Sequence, residues 1–321
     1  MLYPLKLNAA FKDYLWGGTR LRDEFNKQTD IDPVAESWEL SCHHDGQSII
    51  SNGEFSGKTL AQYIETVGKQ VIGTKAPKDK DFPILIKFID AKQSLSVQVH
   101  PDDKYALLHE GESGKTEMWY VMDATPDATL IYGFTHEISH QEFERRIKDN
   151  TLLEVCNQVP IKKGDVFFIE AGTLHAIGAG ALIAEIQQSS NSTYRVYDYG
   201  RVGKDGKLRE LHIEKALAVT KLEPPTRKPE PIAKLTAFAD YDLTILAQCE
   251  LFNVSHFDLH GNCSLNANKD SFHSILVLDG QIALTYGNDS FTITKGESVF
   301  IPADMGEYIL NGTGELSLTT L

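Results

Sequence analysis

The chain has 321 residues and a formal net charge of -14, with 45 acidic and 31 basic side chains. This length supports two cores of ordinary size. The acidic balance argues against a nucleic-acid partner, because no basic patch or stripe appears in the sequence. No apolar run is long enough to span a membrane and the N-terminus lacks an apolar signal segment, so we expect a cytoplasmic protein without a membrane partner.

The N-terminal segment, residues 1–50, predicts short strands and turns. Trp16 stands next to a Gly-Gly turn, and residues 36–41 alternate as a strand does. Taken from the pattern alone, Trp16 and Trp38 are expected to pack in the core.

A capping-box pattern, in which Ser or Thr is followed three residues later by Glu or Gln, occurs at three predicted helix starts. These starts are Thr59, Ser139 and Thr151. The first of the three helices is amphipathic and is expected to end at Gly68. Residues 83–89, PILIKFI, form a continuous apolar run that predicts a strand.

Two polar side chains, Gln98 and His100, lie two residues apart in an apolar alternation. On a β-strand, residues i and i+2 point to the same face, so both side chains are expected on one side. Pro101 and the two aspartates after it end this strand and fit the start of a short helix, residues 104–109.

Two further strands carry polar side chains at their ends. Glu117 opens an apolar run, and His175 follows the predicted strand 166–169. Each residue alone is well explained as a structural residue or a solvated charge. Together they favour a divalent-metal site with an open position, which suits zinc but also iron, manganese or cobalt. The predicted ligands are Gln98, His100, Glu117 and His175.

The second half of the chain predicts a polar loop at residues 187–193, a strand around Arg195 and a helix at residues 211–220. Four prolines mark residues 223–231 as a linker. Beyond it lie seven β-like runs separated by turn signals, one of them at Asp279-Gly280. This spacing is typical of a sandwich or barrel.

An internal repeat relates the two halves of the chain. Residues 163–175 align with residues 295–307, and residues 119–123 align with residues 275–279. The hydrophobic pattern before a glycine turn recurs in both copies. The repeat therefore predicts two jelly-roll β-domains.

Four motifs occur in order along the chain: QVHPDD, GKTEMWYV, AGTLHAIGAG and EIQQSSNSTYRVYDYGR. In this order they resemble the type I mannose-6-phosphate isomerases, specifically the short bacterial form. The resemblance begins at YLWGG, includes AESWE, reaches about Val219 and continues more loosely to the C-terminus. It implies a zinc-dependent aldose–ketose isomerase of the cupin superfamily.

The resemblance and the repeat together predict a mainly β protein, a double cupin with a few helices in its first part. The expected division is a catalytic metal-binding cupin at 1–222, a linker at 223–231 and a degenerate second cupin at 232–321. One zinc ion per chain is expected, in the first cupin only. The repeat places Glu307 where the first domain has His175, and His273 where it has Glu117.

Isomerisation of this kind moves a proton between adjacent carbons through an enediol or enediolate, and it needs polarised oxygens, a base and an anchor for the sugar. The resemblance places the family's catalytic arginine at Arg195, although alone this residue is equally well a structural partner of Asp198. Lys115 and Glu185 both stay open as the base. Lys115 could instead hold the phosphate, with Ser96 donating a hydrogen bond.

Further candidates for the substrate cleft come from the resemblance and from local charge. Trp16 and Glu36 fall where the similar family lines its cleft, which makes them substrate-binding candidates. Arg201 and Lys204 are further cations that could gather near a phosphate. The family pattern often has Asp where this chain has Asn191, which removes a charge near the catalytic arginine.

Two other function classes stay open at this point. One is a non-catalytic sugar-binding or regulatory cupin, and the other is a metal-dependent cupin oxygenase that would share His and Glu ligands. The complete ligand set together with Arg195 argues against the first class. The GKTE and Tyr-Arg sequences favour the isomerase over the second, with a small phosphosugar as the partner.

Overall fold

The computed structural model describes residues 2–77, 81–203 and 206–321. Lys204, one of the cations expected near a phosphate, lies outside the described residues. Within those ranges the chain forms 20 strands and five α-helices. The predicted mainly β class is therefore confirmed. None of the described helices combines the length and the apolar character needed to cross a membrane.

The elements follow one another along the chain with short connections. The strands are β1 (Leu5–Asn8), β2 (Ala10–Lys12), β3 (Glu36–Leu40), β4 (Ile49–Ile50), β5 (Ile84–Ala91), β6 (Val97–Val99), β7 (Glu117–Ala124), β8 (Thr129–Phe134), β9 (Cys156–Pro160), β10 (Val166–Ile169), β11 (His175–Ile177), β12 (Ala181–Gln188), β13 (Tyr194–Tyr197), β14 (Thr236–Ala237), β15 (Tyr241–Gln248), β16 (Asn253–Ala267), β17 (His273–Tyr286), β18 (Asp289–Thr294), β19 (Ser298–Ile301) and β20 (Gly306–Thr320). The helices are α1 (Arg20–Asp23), α2 (Leu60–Val67), α3 (Asp103–His109), α4 (His140–Lys148) and α5 (Ile213–Val219), with 3-10 turns at Lys69–Ile72 and Leu152–Glu154.

Two antiparallel sheets build the first jelly roll. The six-stranded sheet has the order β10-β7-β12-β5-β3-β2, and the five-stranded sheet has the order β13-β6-β11-β8-β9. Both sheets contribute to one apolar cluster, which includes Ile89, Trp119, Tyr132 and Ile177. The sheets therefore pack face to face, as two inner faces of a sandwich do.

A nine-stranded sheet builds the second β-unit, in the order β14-β15-β16-β20-β17-β19-β1-β4 with β18 paired to β17. Its own strands enclose a core that includes Phe257, Ile275, Tyr308 and Leu316. Because β1 and β4 come from the N-terminal part of the chain, this sheet does not follow a division at residue 223. The proposed domain boundaries remain a prediction.

The register of the strands agrees with the internal repeat. Trp119 on β7 pairs with Phe167 on β10, and Ile275 on β17 pairs with Val299 on β19. These are the same two positions in the two aligned copies. The predicted pair of cupin-type β-units is confirmed by this shared register.

The six-stranded sheet is buried on both faces, since its outer face packs against the second β-unit. One cluster joins Phe88 and Phe168 to Phe252, Phe272 and Phe300 across this contact. All eight residues of β5 are buried. A strand covered on both faces can be apolar throughout, which explains the continuous run predicted there.

Local signals predicted two of the three capped helices correctly. Thr59 and Gln62 form the reciprocal capping box of α2, and Ser139 Oγ accepts the Glu142 backbone N–H at the start of α4. The expectation at Thr151 is wrong, because only a 3-10 turn follows it and its side chain makes no capping hydrogen bond.

The turn predicted at Asp279-Gly280 is also wrong. β17 continues through it without a break, and the register against β20 shifts between Val277 and Asp279. Gly280 has φ +80°, and a Cβ there would lie 2.4 Å from the Thr313 carbonyl oxygen. The glycine therefore marks a bulge inside one strand.

Phe300→Ala should lower the free energy of unfolding by roughly 3–5 kcal/mol, because a fully buried ring of the shared cluster is replaced by a cavity. Phe300 packs against Phe272 with ring centroids 5.2 Å apart. Phe238→Ala, at a ring that is 46% exposed, serves as the control and should cost less than about 1 kcal/mol. Equal losses in urea denaturation would show that this cluster does not hold the two β-units together.

Candidate metal centre and active site

The four predicted ligands come from both sheets of the first jelly roll: Gln98, His100 and His175 from β6, its end and β11 of the five-stranded sheet, and Glu117 from β7 of the six-stranded sheet. Gln98 lies on β6 opposite His175, which opens β11, while Glu117 opens β7. His100 and His175 have their Nε2 atoms 3.1 Å apart. Glu117 Oε1 lies 3.3 Å from His175 Nε2, and Glu117 Oε2 lies 3.6 Å from His100 Nε2.

The hydrogen bonds of the two imidazoles decide which of their nitrogens carry a proton. Nδ1 of His100 contacts the Ser192 carbonyl at 2.8 Å, and Nδ1 of His175 contacts the Thr173 carbonyl at 2.8 Å. A carbonyl oxygen only accepts, so Nδ1–H must be the donor in both rings. Both Nε2 lone pairs therefore point at each other and at the Glu117 carboxylate.

This arrangement fits a cation at the common point. Both Glu117 carboxylate oxygens are buried and accept no hydrogen bond. Gln98 Nε2 lies 3.4 Å from His175 Nε2, and a 180° rotation of the amide would present its oxygen to the same point. Imidazole nitrogens, a carboxylate and an amide oxygen are suitable ligands for a divalent metal.

Burial sets the protonation of these groups. It lowers the pKa of His100 well below the usual value and that of His175 to about 4, so both rings are neutral at pH 7. Burial, with the charge of Glu185 adding to it, raises the pKa of Glu117. A buried carboxyl group stays ionised most readily beside a cation. The position of the Glu117 carboxyl group, next to two imidazole nitrogens that can each bind a metal, agrees with this.

Lys115 is the donor closest to this cluster. Its Nζ lies 3.2 Å from His100 Nε2 and 3.4 Å from Glu117 Oε2, and the residue is only 4% exposed. Its amine therefore contacts two of the predicted metal ligands.

A buried ion network lies beside the cluster and includes a residue that the sequence analysis missed. Lys87, in the middle of β5, has its Nζ 2.8 Å from Glu185 Oε2 and 3.5 Å from Glu36 Oε2. Trp119 Nε1–H donates to Glu185 Oε1 at 2.8 Å, and Trp38 Nε1–H donates to Glu36 Oε2 at 2.7 Å. A lone charge inside the run PILIKFI was the signal that could have identified Lys87.

The charges in this network shift one another. Burial alone would raise the pKa of Glu185, but the charges of Lys87 and Lys115 outweigh it and lower that pKa to about 2. Burial alone would lower the pKa of Lys87, but Glu185 and Glu36 outweigh it and raise that pKa. Lys87 and Glu185 are therefore an ionised pair at neutral pH.

Arg195 lies at the other side of the site. Its Nε–H donates to Ser96 Oγ at 3.2 Å, and its Nη1 donates to the Glu210 carbonyl at 3.0 Å. Asp198, the alternative partner considered for it, is instead bound by Arg201 and Arg209. The guanidinium is therefore held by neutral groups, which leaves its charge available to a ligand.

A cavity of about 280 Å³ extends from Gln98 and Lys115, beside the cluster, to Arg195. Its lining includes the predicted residues Trp16, Glu36, Ser96, Gln98, Lys115, Glu185 and Arg195, together with Lys87, Trp119, Asn191 and Arg209, which were not predicted as site residues. Trp16 is 4% exposed and also packs in the core, so both of its expected roles are compatible.

The equivalent place in the second β-unit has different side chains. His273 pairs with Ile301 as Glu117 pairs with Ile169, so the repeat alignment of His273 with Glu117 is correct. The Nδ1 of His273 contacts the Tyr308 hydroxyl at 2.8 Å. Among the described residues, the groups of three His, Cys, Asp or Glu side chains that can reach one ion all lie before residue 176.

Comparison with known proteins gives the same family over the whole chain. A family model for the catalytic domain of type I phosphomannose isomerase matches residues 4–128, and one for the mannose-6-phosphate isomerase cupin domain matches residues 242–320. Mannose-6-phosphate isomerase ManA of Bacillus subtilis (strain 168) is 38% identical over 319 residues, which cover 99% of each chain. The chain belongs to the type I phosphomannose isomerase family.

Other members of this family agree with the assignment. The mannose-6-phosphate isomerase of Streptococcus mutans is 36% identical over 318 residues, with 98% of each chain covered. The crystal structure of mannose 6-phosphate isomerase from Bacillus subtilis superimposes with a TM-score of 0.91 at 35% identity, covering 99% of each chain. The phosphomannose isomerase fold therefore extends over both β-units.

Lys87→Met should lower the free energy of unfolding by roughly 3–5 kcal/mol, because two buried carboxylates lose their cation. Lys163→Met provides the control. It removes the ion pair between Lys163 and Glu315, in which the lysine side chain is 54% exposed, and should cost no more than about 1 kcal/mol. Urea denaturation of the two variants measures the difference, and similar losses would mean that the Lys87 network is not a buried ion pair in solution.

Proposed function

We propose that this protein is a metal-dependent isomerase that interconverts D-mannose 6-phosphate and D-fructose 6-phosphate. The observation that carries the proposal is the convergence of acceptor atoms from His100, Glu117 and His175. This cluster lies directly beside Gln98 and Lys115, which line a cavity that also contains Arg195. Its membership of the phosphomannose isomerase family supports the same reaction. The cytoplasmic location expected from the sequence remains a prediction.

We propose zinc as the metal and Gln98, His100, Glu117 and His175 as its ligands. The ligand atoms are nitrogen and oxygen only, as in many catalytic zinc sites. When bound, the metal supplies Lewis acidity that polarises and orients the oxygens on the two reacting carbons. His100 and His175 are held for this task by their Nδ1–H bonds to backbone carbonyls, which fix the orientation of both rings.

Arg195 is proposed to stabilise the negative charge that develops on the enediolate. A guanidinium keeps its proton at working pH, so it acts as an electrostatic partner and not as a base. Its hydrogen bonds to Ser96 and to the Glu210 carbonyl hold it in place. Arg209 lines the same cavity and shares Asp198 with Arg201, so these two guanidinium groups and one carboxylate keep a net positive charge, which Arg209 presents to the phosphate end of the sugar.

Lys115 is the better of the two candidates for proton transfer. Glu185 has a pKa lowered to about 2 and shares its carboxylate with Lys87 and Trp119, whereas a base works best with a pKa near the working pH. Lys115 lies against the metal ligands, where the reacting carbons would be held. Its position beside His100 favours this role over that of a remote phosphate anchor.

The second β-unit is proposed to be structural. Its Phe252, Phe272 and Phe300 cover the outer face of the six-stranded sheet, whose inner face carries Trp119 and Ile89 beside the cavity. Covering both faces excludes water from the sheet that carries Lys87 and Glu185.

The purified, desalted protein should hold close to one equivalent of metal and convert mannose 6-phosphate to fructose 6-phosphate in a coupled assay. Removal of the metal by a chelator should abolish the conversion, and addition of zinc should restore it, because the reacting oxygens would lose their Lewis acid.

The control for this experiment is a His100→Ala/His175→Ala double variant, shown to be folded by circular dichroism. It should hold almost no metal and show no activity. Equal activity of chelated and metal-replete protein would contradict the metal-dependent reaction. Metal retained at one equivalent in the folded double variant would contradict the ligand assignment.

Arg195→Ala should lower kcat by roughly 100- to 1000-fold with a much smaller change in KM, because its charge acts mainly on the transition state. Arg201→Ala is the matched control, since Arg201 binds Asp198 and is not part of the cavity lining. The variant at 201 should retain most of the activity. Steady-state kinetics in which the two variants are equally impaired, or in which Arg195→Ala stays within about 3-fold of wild type, would remove Arg195 from the reaction.

A further inference from the structure

A second group of metal-ligating side chains lies outside the catalytic cavity. His43, His44 and Glu112 each offer a ligand atom, and these atoms all lie within 4.8 Å of one another. His43 and His44 follow β3, and Glu112 follows α3. The three residues also line a separate cavity of about 550 Å³.

Glu112 is held in place by one carboxylate oxygen and leaves the other oxygen free for a ligand. Its Oε2 accepts hydrogen bonds from Ser190 Oγ at 3.2 Å, from Ser192 Oγ at 3.3 Å and from the Asn191 backbone N–H at 3.4 Å. Its Oε1 faces His43, with His43 Nε2 3.7 Å away. This oxygen is therefore oriented toward Nε2 of the His43 imidazole.

His43 is a buried imidazole with a carboxylate oxygen 3.7 Å from each of its ring nitrogens. Its side chain is 6% exposed, and Asp45 Oδ2 lies 3.7 Å from its Nδ1. The Asp45 backbone N–H donates to this Nδ1 at 3.1 Å, so the proton of the neutral ring lies on Nε2 and faces Glu112. A metal that binds at Nε2 would move this proton to Nδ1, which would then donate to the Asp45 carboxylate in place of accepting from the Asp45 N–H. A carboxylate behind a ligating histidine is the usual partner that fixes its orientation.

His44 supplies the adjustable ligand. Its side chain is 76% exposed, and its ring stacks on His43 with centroids 4.3 Å apart. Its Nε2 lies 3.4 Å from Asp45 Oδ1, an exposed contact that contributes little, so a rotamer change can bring this nitrogen to the site at little cost. The same freedom makes the site weaker than the fully buried catalytic cluster.

We propose that His43, His44 and Glu112 form an accessory, exchangeable site for a divalent transition metal of the zinc, cobalt and nickel class. Two imidazoles and one carboxylate suit these ions, whereas magnesium and calcium prefer oxygen ligands throughout. Water would complete the coordination on the open side.

The position of this site gives the bound ion a structural role. Glu112 binds the loop 190–192, and the Ser192 carbonyl of that loop accepts the Nδ1–H of His100. Asp45 accepts a hydrogen bond from the side chain of Asn191, which lines the catalytic cavity. An ion bound by Glu112 and the two histidines would therefore stabilise the position of the loop 190–192.

The test uses the untagged full-length protein after desalting, so that it carries only its tightly held metal. Co²⁺ is titrated by calorimetry, and its visible absorption reports the ligands. The wild type should take up one further equivalent. His44→Ala and Glu112→Gln should each weaken this uptake by more than roughly 10-fold, because each removes a ligand.

His140→Ala, at an exposed histidine on α4, should bind the further equivalent as the wild type does. Bound Co²⁺ should also slow amide hydrogen exchange in residues 189–193 of the wild type but not of His44→Ala. No further equivalent in the wild type up to millimolar Co²⁺ would overturn the proposal. Equal affinity in the wild type and both ligand variants would overturn it as well. Because none of the three residues lines the catalytic cavity, neither result depends on the isomerase reaction.

Discussion

The electrostatic constraint at the catalytic cluster shapes the rest of the first jelly roll. Two imidazoles donate through Nδ1 to backbone carbonyls, so their Nε2 lone pairs meet 3.1 Å apart beside a buried carboxylate without hydrogen-bond partners. Such a set of acceptors is unfavourable in a dry interior unless a positive charge lies among them. A metal cation at this point would satisfy all of them at once, and the Lys115 amine lies 3.2 Å from His100 Nε2 at the edge of the set.

The surrounding fold makes this concentration of charge possible. Lys87 lies between Glu36 and Glu185 on adjacent strands of the six-stranded sheet, and tryptophan N–H groups donate to both carboxylates. The sheet is buried on both faces, which removes water and strengthens each of these interactions. The second β-unit provides one of the two covers.

Local chemistry made several features predictable from the sequence alone. The i, i+2 spacing of Gln98 and His100 indicated a shared face, and the capping box at Thr59 identified a helix start that the structure contains. The repeat correctly aligned His273 with Glu117. The alignment succeeded because both copies keep the hydrophobic pattern and the glycine turns, although the predicted ligand residues differ between them.

The missed features depend on pairing between distant parts of the chain. The partners of Lys87 become evident only when β5 is placed beside β3 and β12, where Lys87 pairs with Trp38 and Glu185. The continuous strand β17 could not be predicted for the same reason. Its 14 residues are held through the Asp279-Gly280 bulge by pairing with β20, which overrides the local turn signal.

X-ray absorption at the metal edge of the desalted protein tests the central claim most directly, because it reports the atoms that surround the ion. The proposed ligands predict a first shell of nitrogen and oxygen at roughly 2.0–2.2 Å, with the outer-shell scattering of two imidazoles. A sulfur shell at roughly 2.3 Å, or a spectrum without imidazole scattering, would show that the ion is held elsewhere and would contradict the account.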